Sequence, residues 1–234
     1  DQADAYAAQF GGLSTFATNF KALFVHFPLT SPDGMIGRVD AGLQTLSTFD
    51  SENVQRYSLP DSYSWPVRTC QLKRCLLRQE IPLSNSDKKL VLFNLHLEAY
   101  APEAKKAAQT ALLMELLAAE YEQGNYVIAG GDFNQTLPGA DLSAYPLLND
   151  SYFQAPLLNV DGLPEGFSFA FDDSVPTSRL LNEPYSHQPE TTQLYVIDGF
   201  LLSPNVQVDS VETLDLDFRY TDHNPVLLEA TLLP

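Results

Sequence analysis

Four short segments place acid, amide or imidazole groups in or beside apolar runs. They are Asn94-Leu-His96, Gly131-Asp-Phe-Asn134, Ile197-Asp-Gly199 and Thr221-Asp-His-Asn-Pro225. Carboxylates, imidazoles and amides are the groups that move protons and bind hard, oxygen-seeking cations. No thiolate site accompanies them, which argues against a structural zinc site. Each segment also has a plain reading. A strand histidine is usually a hydrogen-bonded structural residue, and Gly-Asp-Phe-Asn could be a turn whose Asp and Asn bond the backbone. Asp198 could open a strand, and Thr-Asp-His-Asn-Pro could be a loop before one. Singly, the plain reading is preferred for His96 and Asp198. Jointly it weakens, because four polar interruptions then lie unexplained in one small core.

The elements that must position these groups are legible around the first two segments. Leu90 to Leu97 reads as a strand, polar only at Asn94 and His96, which share a parity and so a face. Pro102 stands where a first helical residue is expected. Glu103 to Gln123 is rich in Ala, Leu, Glu and Lys, and Gly124 supplies a stop. Tyr126 to Gly130 is a second strand. Strand, helix, strand predicts a βαβ unit with parallel strands, and ligands bind at the carboxyl ends of such strands. His96, Asp132 and Asn134 are therefore expected on one sheet edge.

Elsewhere the pattern is weaker. Residues 1–10 predict the tail of a helix, with Tyr6 and Phe10 four apart and Gly11-Gly12 as its stop. Short strands are expected at 20–27 and 39–48, around a turn at Ser31-Pro-Asp-Gly34, and another at 73–82. Late strands are expected at 194–203, 206–214 and 225–233. The Pro-, Ser- and Asp-rich stretch 136–190 reads as long loops. No repeat, low-complexity tract or linker interrupts the 234 residues, so 1–234 is expected to be one α/β domain.

The formal charge of −17 repels phosphate backbones and disfavours tight nonspecific binding of nucleic acid. A metal ion and a few local cations can offset that field at one cleft. No apolar stretch is long enough to span a bilayer. The chain begins at Asp1 without Met, so the lack of a targeting segment proves little. Cys70 and Cys75, if in one strand, would point to opposite faces, so no disulfide between them is expected.

In order and wording, the four segments resemble the endonuclease/exonuclease/phosphatase superfamily, which includes pancreatic-type deoxyribonuclease, abasic-site endonucleases, sphingomyelinases and inositol-phosphate phosphatases. They span residues 94–225, with a weaker likeness back to about residue 1. Gly-Asp-Phe-Asn after a strand, paired with Asp-His-x-Pro before the last strand, is specific; either alone is weak. The resemblance implies a four-layer sandwich of two packed mixed β-sheets flanked by helices. It also implies a metal-dependent phosphoester hydrolase, with phosphodiesters favoured. By the same resemblance, His223 and Asp198 form an imidazole–carboxylate pair, and Asp132 orients or deprotonates the attacking water. Asn134 donates to a phosphoryl oxygen. His96 stabilises negative charge or protonates a leaving group. Asp222 faces the metal, directly or through water, and Arg74 contacts phosphate. The implied metal is magnesium, with manganese as an alternative.

Superfamily members begin with a strand bearing an Asn, then a helix, then a strand ending in Gln-Glu, whose Glu is a principal metal ligand. Here the 1–10 helix resembles the element after Gln-Glu, so the chain is expected to lack that N-terminal strand and glutamate. Gln79-Glu80 is rejected as a substitute, because it follows Arg74, out of order. A lost strand would leave a sheet edge that invites self-association. The acidic charge favours a small-molecule or lipid-headgroup phosphoester over nucleic acid. Loops at 136–190 are expected to shape the substrate pocket, with Tyr152, Phe167, Phe171, Arg179 and Tyr185 as candidates. A noncatalytic binding domain that keeps the hydrolase fold is the competing reading.

Overall fold

The computed structural model describes residues 1–25, 37–67, 71–84, 86–188 and 191–234. The predicted turn at Ser31–Gly34, the end of the 20–27 segment and Cys70 lie outside them. Helix α1 (Gln2–Phe10) is capped by Asp1, whose carboxylate accepts the Asp4 N–H, and it ends on left-handed Gly11. Strands β1 (Leu13–Val25) and β2 (Gly37–Ser47) form an antiparallel hairpin. There follow β3 (Glu52–Ser58), β4 (Cys75–Pro82), β5 (Lys89–His96), helix α2 (Glu103–Glu122) and β6 (Tyr126–Asp132). Short strands β7 (Ser168–Ala170), β8 (Ser178–Arg179) and β9 (Leu194–Tyr195) precede β10 (Asp198–Leu202), β11 (Val206–Thr213) and β12 (Val226–Leu232).

The main sheet runs β3-β4-β5-β6-β10-β7 and is mixed. Its β5–β6 pair is parallel, as the βαβ reading requires, and the other pairs are antiparallel. Alternation sorts its two faces. Val91, Phe93, Leu95, Val127, Ala129 and Leu201 pack against Leu113, Met114 and Leu117 of α2. Burying each such side chain contributes roughly 1.5–3 kcal/mol. The opposite face carries a second β layer. The β1–β2 hairpin covers β4 and β5 through Ala17, Leu43, Cys75 and Leu77, and the Asn94 amide donates to the Gln44 carbonyl. The β11–β12 ladder covers β6 and β10 through Tyr126, Leu202 and Val206. Helix α1 lies on the outer side of the first hairpin, where Gln44 Nε2 donates to Ala3 O over 2.8 Å. Helix, β layer, mixed sheet, helix: the four layers are present. Among the described residues the second layer consists of two separate antiparallel ladders rather than one continuous sheet.

Local differences from the sequence reading have simple causes. Pro102 is the N-cap of α2 rather than its first residue, with extended ψ 148. Strand β1 begins at Leu13, seven residues earlier than expected, because its Ser and Thr residues suit a half-exposed hairpin. The 194–203 segment splits into β9 and β10. Strand β3 was not expected: it is an edge strand, almost wholly exposed, and shows no apolar alternation. Cys75 is a buried free thiol. No helix of the described residues is long and apolar enough to cross a membrane.

Candidate active site

Strand register assembles the site. His96 ends β5 opposite Asp132, and Asp132 ends β6 opposite Asp198, which opens β10. Adjacent strands lie about 4.8 Å apart, so the three side chains form a row on one sheet edge. They point to the face away from α2, since Leu95, Ala129 and Leu201 hold the other parity. Arg74 precedes β4 at the same edge, because Leu76 pairs with Leu95. His223 arrives from the loop before β12. A backbone bridge to Ser178 holds it, and the Asn224 N–H donates to Thr177 O over 2.8 Å. The Thr177 hydroxyl accepts from the Ile197 and Asp198 N–H groups, at 3.0 and 3.2 Å. Thr177 therefore ties both halves of the pair together. Gly131 allows the strands to close at this edge: at φ 143 its position would put a Cβ 2.1 Å from the Leu95 carbonyl oxygen.

The side chains converge. His223 Nδ1 lies 2.9 Å from Asp198 Oδ2, and Ser178 Oγ lies 3.3 Å from His223 Nε2. Asp132 Oδ2 is 3.2 Å from His96 Nε2 and 3.9 Å from His223 Nε2. Asn134, in a left-handed conformation (φ 51), donates its backbone N–H to Asp132 Oδ1 over 2.7 Å. Its Nδ2 donates to Leu97 O and Asp132 Oδ2 over 2.9 and 3.0 Å. In this arrangement Asn134 aims Asp132, and donation to a phosphoryl oxygen requires the amide to release one of those partners.

Burial and charge divide the titrating groups. Burial pushes the His96 imidazole down to about 3, helped by the Arg74 and His223 charges, so it is a neutral hydrogen-bond donor at pH 7. Burial also opposes charge on His223. The hydrogen bond and charge of Asp198, with Asp132 and Asp222, overturn that and raise it to about 9. Desolvation, then the Asp198 charge, raises Asp132 to about 7, against the pull of His223, the Asn134 N–H and Arg74. A base near neutrality and an imidazole that stays protonated thus stand side by side.

Arg74 also belongs to this edge. It is only 8% exposed, and its Nε and Nη1 have no hydrogen-bond partner. Glu98 Oε2, at 3.9 Å, offsets the charge without making a hydrogen bond. Glu98 Oε1 instead accepts from the Ala99 and Tyr100 N–H groups and from the Tyr63 hydroxyl. A buried guanidinium with two unbonded nitrogens is costly even beside a carboxylate, and an anion that accepts from them is what satisfies it.

Asp222 lines a cavity beside His223 and acts on it through charge rather than a hydrogen bond; its carboxylate accepts from the Thr221 hydroxyl and its backbone O from the Arg179 N–H. Among the described residues no three His, Cys, Asp or Glu side chains are grouped to hold a metal ion. Asp132 and Asp198 already face His96 and His223. The residues described therefore do not by themselves fit a magnesium centre. Glu80 lies elsewhere: it pairs with Val91, five residues back from His96, about 17 Å along the strand. It is engaged there by Arg78, Lys89 and Asn53. Of the expected pocket residues, Arg179 lines the cavity, Phe167 belongs to the core, and Phe171 packs against it. Tyr185 sits under Arg179, 5.3 Å from ring centroid to guanidinium, and Tyr152 is not among the lining residues. Sequence reasoning missed Thr177, Ser178 and Glu98, since a buried Ser or Thr in a loop carries no periodic signal.

No protein-family model and no curated protein matches the sequence. Solved structures do match. The endonuclease/exonuclease/phosphatase from Beutenbergia cavernae DSM 12333 aligns over 100% of this chain and 58% of its own, with 17% identity and TM-score 0.67. The chain thus spans a little over half that protein's length. The human Nocturnin catalytic domain, solved with bound sulfate, aligns over 99% of this chain and 76% of its own (16% identity, TM-score 0.58). D. rerio TDP2, complexed with a single-strand DNA product, aligns over 97% and 89% (18% identity, TM-score 0.55). The chain has the endonuclease/exonuclease/phosphatase fold, in agreement with the resemblance carried by its four motifs. A DNA-product complex on this fold gives no support to the expected preference for small phosphoesters over nucleic acid.

Proposed function

We propose that the chain hydrolyses a phosphoester at the edge formed by His96, Asp132, Asp198 and His223. The observation that carries this reading is the buried Arg74 guanidinium, two of whose nitrogens have no hydrogen-bond acceptor, beside a carboxyl that titrates near neutrality and a protonated imidazole. Arg74 takes a phosphoryl oxygen. Asp132 accepts a proton from water as the water oxygen bonds to phosphorus. The P–O bond to the leaving group breaks, and His223 Nε2 gives the leaving oxygen a proton, while Asp198 holds the ring through Nδ1. Asp132 then returns its proton to His223 Nε2, 3.9 Å away at rest, which resets both groups. Neutral His96 donates from Nε2 without changing charge, which favours its charge-stabilising role over leaving-group protonation. No step here runs through magnesium. Asp222 is the carboxylate we assign to face such an ion, and completing its coordination requires ligands beyond the described set.

The test is release of p-nitrophenol from bis(p-nitrophenyl) phosphate, with magnesium or manganese titrated, against His223→Ala. Turnover lost in the variant supports hydrolysis. Binding of inorganic phosphate with no turnover at any metal concentration would instead identify a noncatalytic binding domain. On substrate class, the −17 charge sets the cost of a long nucleic acid but leaves short anionic esters open.

A further inference from the structure

The cavity next to His223 has a volume of about 320 Å³, the lower end of the range for small-molecule sites. Asn134, Asp222 and His223 line it, so it opens onto the row of reacting groups. Three rings build one wall in sequence. Tyr100 meets Phe153 edge to face with centroids 5.3 Å apart, and Phe153 meets Tyr195 at 5.6 Å. Phe153 and Tyr195 brace the wall, while Tyr100 is 74% exposed. Asn182 and Arg179 line the cavity too, and Arg179 Nε is buried without a hydrogen-bond partner.

Resting on the hydrolase reading, we propose that this cavity is a subsite for a nucleobase. The planar heteroaromatic group attached through the sugar to the scissile phosphate stacks on Tyr100. Arg179 and Asn182 meet its polar edge or the sugar. Three properties of the wall favour this occupant. An exposed ring held by braced neighbours offers a face to any base, which is how aromatic residues bind bases without strict sequence preference. A lipid chain would leave the buried Arg179 Nε–H without an acceptor. A quaternary ammonium would find rings and the Asp222 carboxylate, but it would also meet the Arg179 guanidinium, which repels it. The base could belong to a mononucleotide or to a single-strand end; the recognition chemistry is shared.

The experiment is a calorimetric titration of the whole chain, with EDTA present, using adenosine 5′-monophosphate, ribose 5-phosphate, phosphocholine and a 5′-phosphorylated trinucleotide. The expected result is that adenosine 5′-monophosphate binds about tenfold more tightly than ribose 5-phosphate, as one base–ring stack implies. That preference should collapse in Tyr100→Leu and persist in Tyr100→Trp; Tyr100 is exposed, so both variants retain the fold. Tighter binding of the trinucleotide assigns the site to strand ends, and equal binding assigns it to mononucleotides. Equal affinity for adenosine 5′-monophosphate and ribose 5-phosphate overturns the proposal. So does phosphocholine binding as tightly as the nucleotide, or a base preference untouched by Tyr100→Leu. The titration needs no turnover. A base preference in a chain that hydrolyses nothing would preserve the subsite and remove the hydrolase reading.

Discussion

Replacing Asp198 by Asn should both discharge and destabilise the site, and the two effects have calculable sizes. The pair holds His223 at about 9, against 6.5 for an ordinary imidazole. That difference corresponds to roughly 3 kcal/mol of preference for the imidazolium. The His223 side chain is 31% exposed, so solvent screening reduces the expected share to about 2 kcal/mol. The folded-state value lies above the unfolded one. The stabilisation is therefore complete below pH 6.5 and is lost as pH rises through about 9. Asn keeps the backbone N–H that bonds Thr177 but cannot hold a charge opposite the ring. In Asp198→Asn, burial pulls His223 down towards or below 6.5. Urea unfolding should show the variant about 2 kcal/mol less stable than the parent at pH 6, and nearly equal to it at pH 10. Histidine NMR titration should show one imidazole moving from about 9 to near or below 6.5. Equal destabilisation at both pH values, with His223 titrating near 6.5 in the parent protein, would refute the dyad's assigned charge state.

The remaining predictions concern its neighbours. Turnover should follow a bell-shaped pH profile, rising through about 7 as Asp132 ionises and falling through about 9 as His223 loses its proton. Asp132→Asn should lower kcat by about 10²- to 10⁴-fold and abolish the rising limb, as stopped assays across pH would show. Arg74→Met should weaken inorganic phosphate binding by about tenfold or more, read by calorimetry. Its Tm should fall, because the buried Glu98 carboxylate loses the cation 3.9 Å away. Gly131→Ala should cost at least about 2 kcal/mol in chemical denaturation, because its Cβ would meet the Leu95 carbonyl oxygen.

The parts of the fold legible in the sequence were those with a strong period or a strong stop. The β5–α2–β6 unit combined an apolar strand, an Ala- and Leu-rich helix and Gly124, and its parallel pairing follows from that order. Asn94 and His96 disclosed their face by parity alone. Strand β3 was invisible because Glu52-Asn-Val-Gln-Arg-Tyr-Ser58 pairs on one side and turns only Tyr57 towards the core, too little to make a period. Within the site, the residues with unusual chemistry stood out: His96, Asp132, Asp198 and His223 now lie together. What the sequence withheld was their environment. Nothing in the letters around Arg74 shows that two of its buried nitrogens lack a hydrogen-bond acceptor, since that depends on Glu98 turning towards backbone N–H groups. Nor does spacing reveal that Thr177 links Asp198 to the His223 loop, because that link crosses three chain segments.

The central claim, that this cluster moves water onto phosphorus, is tested most directly by hydrolysis in ¹⁸O-enriched water, read by ³¹P NMR on a phosphodiester substrate with divalent metal supplied. The account predicts one ¹⁸O in the phosphoryl product per turnover, seen as its isotope-shifted resonance, and no labelled product from His223→Ala. An unlabelled phosphoryl product, label found only in the released alcohol, or equal labelling by the His223→Ala variant would contradict it.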